Sequence, residues 1–157
     1  MNNLYQIAEE HGIEIYERDL KGRNKGLYID NAIAIKRGLT EFEKRCVIAE
    51  ELAHHFFTVG DITNQKKVEN RKKERIARKN CYMQLLPLDL IVQALLSHCI
   101  TEDEFLDYLR VTKEFFNEAI DYYKQRYGYC YTCKDYTLYF DPLSVIGHFS
   151  NYDIAGR

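Results

Sequence analysis

Apolar positions change their period along the chain, and the changes mark its elements. Leu4, Ile7 and Ala8 fall at helical spacing in "NLYQIAEEH", and Gly12 follows as a stop. "IEIYERDL" then alternates apolar with polar residues, the pattern of a half-buried strand. After the glycine-containing turn "KGRNKG", the stretch "LYIDNAIAIKRGL" reads as two short strands around Asp30 and Asn31. These segments predict a small antiparallel sheet.

Helical periodicity takes over at Thr40. Thr40 with Glu43 three residues on is a capping-box pattern. The predicted helix runs through "EFEKRCVIAEELAHHFFT" to about Thr58, with Gly60 just past its end. Phe42, Cys46, Val47, Ala49, Leu52, Ala53 and Phe56 form its apolar face. Residues 61–67 read as a loop. A second helix, very basic at first, covers roughly 68–85 and stops before Pro87. "LDLIVQALLSHC" follows, then "TEDEFLDYLRV" with a second capping box at Thr101 and Glu104. "TKEFFNEAIDYYKQRYG" adds an amphipathic segment ending at Gly128. The aromatic tail "YCYTCKDYTLYFDPLSVIGHF" pairs as a hairpin or packs on the helices. No repeat or long linker interrupts the pattern. The expectation is one α+β domain over 1–157, with helices dominant and a small N-terminal antiparallel sheet packed on the helix that starts at Thr40. Its 1–87 part holds the sheet and site helices, and its 88–157 part is helical with the aromatic tail.

A chain of 157 residues can bury a core without disulfides or a structural metal. Its net charge of -2 and pI near 6.2 argue against a global nucleic-acid or membrane surface. No run approaches eighteen apolar residues, and "MNNLYQIAEEHGIEI" shows no secretory signal. Five scattered cysteines suit reduced thiols rather than a disulfide framework. A cytoplasmic protein is expected, with neither a membrane nor direct nucleic acid as partner.

The chemistry concentrates in "IAEELAHH", residues 48–55. The zinc-protease signature H-E-x-x-H sets two histidines one helical turn apart with a glutamate beside the first. In that frame Glu50 takes the first histidine's place, Glu51 the glutamate's and His54 the second histidine's. Glu50 and His54 lie on one helical face and can grip one ion, since zinc accepts carboxylate oxygen as well as imidazole nitrogen. Glu51 sits one residue round, near the ion without coordinating it, where a general base is needed. Shifting the frame by one pairs Glu51 with His55 but puts Leu52 at the base position, where it does no proton chemistry. In the better frame His55 turns away by about 100° and serves as a supporting contact or alternative ligand. A third ligand must come from elsewhere, and the second helix offers Glu69 and Glu74. Two carboxylates with one imidazole suit zinc or manganese.

"LTEFEKRCVIAEELAHHFFTVGDI" and "ERIARKNCYMQLLPLDLI" together resemble the ImmA/IrrE family of metallo-endopeptidases, closest to short forms found beside phage-type repressors in mobile elements. The resemblance runs over most of the chain, although the last thirty residues add little. It implies a zinc site whose third ligand is the glutamate of an E-x-x-A pattern upstream of a proline. Here "ERIA" places that role on Glu74, thirteen residues before Pro87. Glu51 inherits the general-base role and His54 a ligand role, while Glu50 makes the signature an E-E-x-x-H-H variant. The implied function is zinc-dependent endoproteolysis of a cognate helix-turn-helix repressor, which releases prophage or mobile-element genes. The alternative is a non-catalytic regulatory module of the same fold that binds the repressor stoichiometrically.

Several features have plainer readings. Lys66, Lys67, Arg71, Lys72, Lys73, Arg75, Arg78 and Lys79 make eight cations in fourteen residues, read first as a solvated helix face and second as a contact for an acidic substrate, a repressor or nucleic-acid phosphate. Cys130 and Cys133 form one C-x-x-C without the second pair of a four-thiolate site. His11, His98 and His148 have no partners at ligand spacing. The tyrosines from Tyr122 to Tyr139 read as packing residues.

Overall fold

The computed structural model describes residues 4–58 and 67–148. The loop expected over 61–67 lies outside them except for its last residue, as do Gly60 and the side chains at 58 and 67–70. The chain is α+β and divides into two units, one of residues 1–87 with 110–112 and one of 88–109 with 113–157.

The first unit contains α1 (Leu4–Glu10), β1 (Glu14–Arg18), β2 (Gly26–Ile29), β3 (Ala32–Lys36), α2 (Glu41–Thr58) and α3 (Lys67–Leu85). Its sheet has the order β1-β3-β2. Only half of it is antiparallel as expected: β2 pairs antiparallel with β3, whereas β1 runs parallel to β3. The strands differ in burial. In β3, Ile33, Ala34 and Ile35 are all buried and it takes the centre, while the less buried β1 and β2 take the edges. Asp30 and Asn31 turn the β2–β3 hairpin with φ of 47° and 60°. Positive φ at both positions defines the type I′ turn, which Asn and Asp tolerate.

Helix α2 is the centre of this unit and contacts α1, β2, β3 and α3. Its capping box forms as predicted: Glu43 N–H donates to Thr40 Oγ1 at 3.3 Å, and Thr40 N–H donates to Glu43 Oε2 at 2.9 Å. Lys25 Nζ, 2.9 Å from Glu43 Oε1, fastens the approach to β2 onto the same turn. Cys46, Val47, Ile48, Ala49, Leu52 and Ala53 are buried. Phe56 departs from the expected apolar face, with 40% of its surface exposed and its ring edge-on to His11. Against α2, helix α3 buries Ala77, Cys81, Tyr82 and Leu85. That spacing of three to four residues is an amphipathic stripe, and the positions between it carry the cations.

The second unit contains α4 (Leu88–Leu96), α5 (Glu102–Leu109), α6 (Lys113–Tyr127), β4 (Cys130–Thr132), β5 (Tyr136–Phe140) and β6 (Leu143–Gly147). Thr101 and Glu104 cap α5 reciprocally. The tail is neither a lone hairpin nor loose packing but a three-stranded antiparallel sheet, β4-β5-β6. Tyr123 of α6 stacks on Phe140 of β5 with rings 6.1 Å apart, joining helix to sheet. Tyr136 donates its hydroxyl proton to Asp89 Oδ1 at 2.5 Å. His148 bonds Thr137 and the Lys134 carbonyl, the ordinary structural part expected of it. No described helix is long and apolar enough to cross a membrane.

Candidate active site

Two helices and one edge strand build the site. On α2, Leu52 and Ala53 turn into the core, which leaves Glu50, Glu51, His54 and His55 half-buried on either side of them. Helix α3 brings Glu74 to this surface. His54 Nε2 lies 3.6 Å from Glu74 Oε2, and the other oxygen of Glu74 accepts from Arg78 Nε at 2.8 Å. Arg78, one helical turn on, thus orients the carboxylate.

Glu51 stands beside this pair. Burial pushes its carboxyl above the ordinary range; the nearby His54 and the Tyr28 backbone N–H oppose that rise, and Glu74 adds to it. The Tyr28 contact follows from the strand register. Lys36 N–H donates to the Lys25 carbonyl, so hydrogen-bonded pairs recur at Lys25, Leu27 and Ile29. The amide of Tyr28 therefore points off the sheet edge, where Glu51 receives it. Close approach of strand and helix depends on Gly26. A Cβ there would lie 2.7 Å from Glu51 Oε1 and 2.5 Å from Val47 Cγ1.

His55 faces the same strand rather than Glu74. Its Nδ1 lies 2.5 Å from the Tyr28 hydroxyl, its ring tilts against that of Tyr28 with centroids 5.1 Å apart, and Phe56 abuts its edge. The Tyr28 hydroxyl donates in turn to Asn31 Oδ1 at 2.9 Å.

Donor spacing tests whether this site suits a metal. Two ligands bound at about 2.0–2.2 Å with tetrahedral angles sit roughly 3.3–3.6 Å apart. The His54–Glu74 separation of 3.6 Å falls within that span, so the pair fits two corners of one coordination shell. Among the described residues, no three His, Cys, Asp or Glu side chains gather into a metal-holding group. Thus the structure joins His54 with Glu74 and sets Glu51 beside them, and it does not bring Glu50 in as a third donor. Glu69, the other acidic residue considered on this helix, has its side chain outside the described residues.

A family model described as the IrrE N-terminal-like domain, a peptidase family, matches residues 8–121. The chain belongs to the ImmA/IrrE family. Curated proteins and solved structures gave no match. The matched region runs from the last turn of α1 through the rest of the first unit and reaches into α6, so it contains every site residue named above. Membership in ImmA/IrrE makes this a chain of metallopeptidase type. Sequence reasoning placed Glu51, His54 and Glu74 but passed over Gly26, Tyr28 and Asn31, which come from a strand and its turn. Their only sequence signal is a glycine entering a strand and an Asp-Asn pair leaving it.

Proposed function

We propose that the chain is a metal-dependent endopeptidase acting in the cytosol on a helix-turn-helix repressor encoded beside it. The observation that carries this reading is the meeting of His54 and Glu74 at 3.6 Å with half-buried Glu51 at their side. Zinc or manganese would be held by His54 and Glu74, with Glu50 as the third ligand, and when bound would act as a Lewis acid on the scissile carbonyl.

The chain's own residues account for the rest. Glu51 takes a proton from the attacking water on a carboxylate oxygen and releases it to the leaving nitrogen. Its raised proton affinity suits both halves of that task, because a group that holds protons too weakly is a poor base. The Tyr28 amide holds the carboxylate in place through the cycle. Arg78 keeps the Glu74 carboxylate aimed at His54.

A second reading is favoured by the lack of a three-donor group among the described residues: a module that binds the repressor without cutting it. Elemental mass spectrometry of the purified chain supplied with zinc or manganese separates the two, together with intact-mass analysis of the incubated repressor. The peptidase reading expects about one ion per chain, lost in His54→Ala and Glu74→Ala, and repressor fragments that vanish in Glu51→Gln while the ion stays. Tight repressor binding with no fragments at any metal supplied would overturn it in favour of the binding module.

A further inference from the structure

Tyr28 touches two different site residues through two different groups, and the direction of its hydrogen bonds can be worked out. A tyrosine hydroxyl has one proton to give and lone pairs to receive. The Tyr28 proton goes to Asn31 Oδ1 at 2.9 Å, an amide oxygen that can only accept. The 2.5 Å contact with His55 Nδ1 must then be donated by the imidazole. A neutral imidazole carries one proton, so with Nδ1 protonated its lone pair sits on Nε2. The ring is held in this pose by Tyr28 on one side and Phe56 on the other. Meanwhile the Tyr28 amide faces Glu51.

From this geometry we propose that Tyr28 is a positioning residue that fixes the Glu51 carboxylate with its amide and locks His55 in the Nδ1–H tautomer with its hydroxyl, the direction of that lock being set by Asn31. Nε2 of His55 is then left with its lone pair, able to accept a hydrogen bond and unable to donate one. The part Tyr28 plays in turnover rests on the peptidase reading, whereas the His55 tautomer can be read with no substrate and no metal.

The sequence element behind the lock is the type I′ turn. Asn31 adopts its φ of 60° as the second turn residue, which places its side chain three residues after Tyr28 and across from it. Glycine would hold that backbone equally well and carry no acceptor. The turn and the lock are therefore separable by mutation.

The test is a long-range proton–nitrogen correlation spectrum of the full-length, nitrogen-15-labelled protein at about pH 8, above the ordinary histidine range. The His55 signals are identified by their loss in His55→Gln. The native protein is expected to show a protonated Nδ1 and an unprotonated Nε2 at His55. Asn31→Gly frees the Tyr28 proton for Nδ1, so the two nitrogen shifts should exchange to the Nε2–H pattern. Asn31→Asp keeps an acceptor and should restore the native pattern, which a merely structural role for the turn would not require. Tyr28→Phe should leave a mixture of tautomers; should that variant not fold, the Asn31 pair carries the test alone. An Nε2–H signal in the native protein, or an Asn31→Gly spectrum identical to the native one, would overturn the proposal. Repressor cleavage with an Nε2–H His55 sinks the lock and spares the peptidase; a native Nδ1–H signal without cleavage does the reverse.

Discussion

Replacing Gly26 with alanine isolates the closeness of β2 and α2. Gly26 does not have a positive φ, so alanine suits its backbone and any cost comes from space. The new methyl would stand 2.5 Å from Val47 Cγ1, 2.7 Å from Glu51 Oε1 and 3.0 Å from Glu51 Cγ. Carbon contacts settle near 3.5–4.0 Å, so strand and helix must part by about 1 Å at this point. Val47 cannot yield easily, being buried with 6% of its surface exposed. Glu51 can swing aside, but only by leaving the Tyr28 amide. Overpacking of this kind costs about 1–3 kcal/mol, which at this chain length lowers Tm by roughly 2–12 °C. Gly147→Ala is the control, because a Cβ there meets nothing within 4 Å and its effect should stay within about 0.5 kcal/mol. The assay is calorimetric or circular-dichroism melting of both variants, followed by repressor cleavage. The expected result is a clear Tm loss for Gly26→Ala alone and a cleavage defect larger than the fraction unfolded explains. A Gly26→Ala protein that melts within 1 °C of the native one, as about a third of a kcal/mol would produce, refutes the tight approach and the positioning argument built on it.

Three further outcomes follow from groups away from the site. The Lys25 ammonium first, and then the Thr40 amide, hold the Glu43 carboxyl down to about 2. A depressed folded value means stability that is present above the unfolded carboxylate range and lost as pH falls from about 4.5 toward 2. Since the pair is partly exposed, Glu43→Ala should cost about 1–2 kcal/mol at pH 7, and the gap to the native protein should close in acid melts. Burial first, and for Tyr136 the Asp89 carboxylate second, raise the phenols of Tyr123 and Tyr136 well above the ordinary range. An acid with raised folded affinity keeps a proton that the unfolded chain gives up, so stability falls as pH rises past about 10. Ultraviolet titration should show these two ionising only with unfolding; full phenolate formation in a still-folded protein would contradict this. Burial also pushes the Cys46 thiol up to about 11. Iodoacetamide mapping near pH 8 should therefore label Cys99, Cys130 and Cys133 and spare buried Cys46 and Cys81 until the chain unfolds.

Much of the fold could be read from local chemistry. Thr40–Glu43 and Thr101–Glu104 announced two helix starts, and both boxes formed because their partners lie within one turn. Asp30 and Asn31 announced a hairpin for the same reason. What periodicity could not supply was neighbourhood. Nothing local says that β1 pairs with β3 and runs parallel to it, since that outcome depends on which strand takes the buried centre. The site divides the same way. Glu51 and His54 were legible from helical spacing, and Glu74 from a family pattern on the next helix. Tyr28 and Gly26 were not, because their relation to Glu51 and His55 exists only once strand and helix are packed. Phe56 misled because it continues an apolar stripe yet sits past the point where the core ends.

The two-residue turn at Asp30 and Asn31 has a consequence for how such chains can vary in length. Tyr28 and Asn31 keep their fixed separation only while nothing is inserted between them, so the hairpin works as a ruler. One added residue would carry the amide oxygen out of reach and swing the strand end that faces the helix. The stretch from Asp19 to Asn24 has no such duty: it is an exposed crossing between two edge strands, and Leu20 alone is half-buried. Insertions and deletions in natural variants should therefore accumulate at Asp19–Asn24 and be absent at Asp30–Asn31, so that gap placement among related sequences becomes a record of which loop measures and which merely connects.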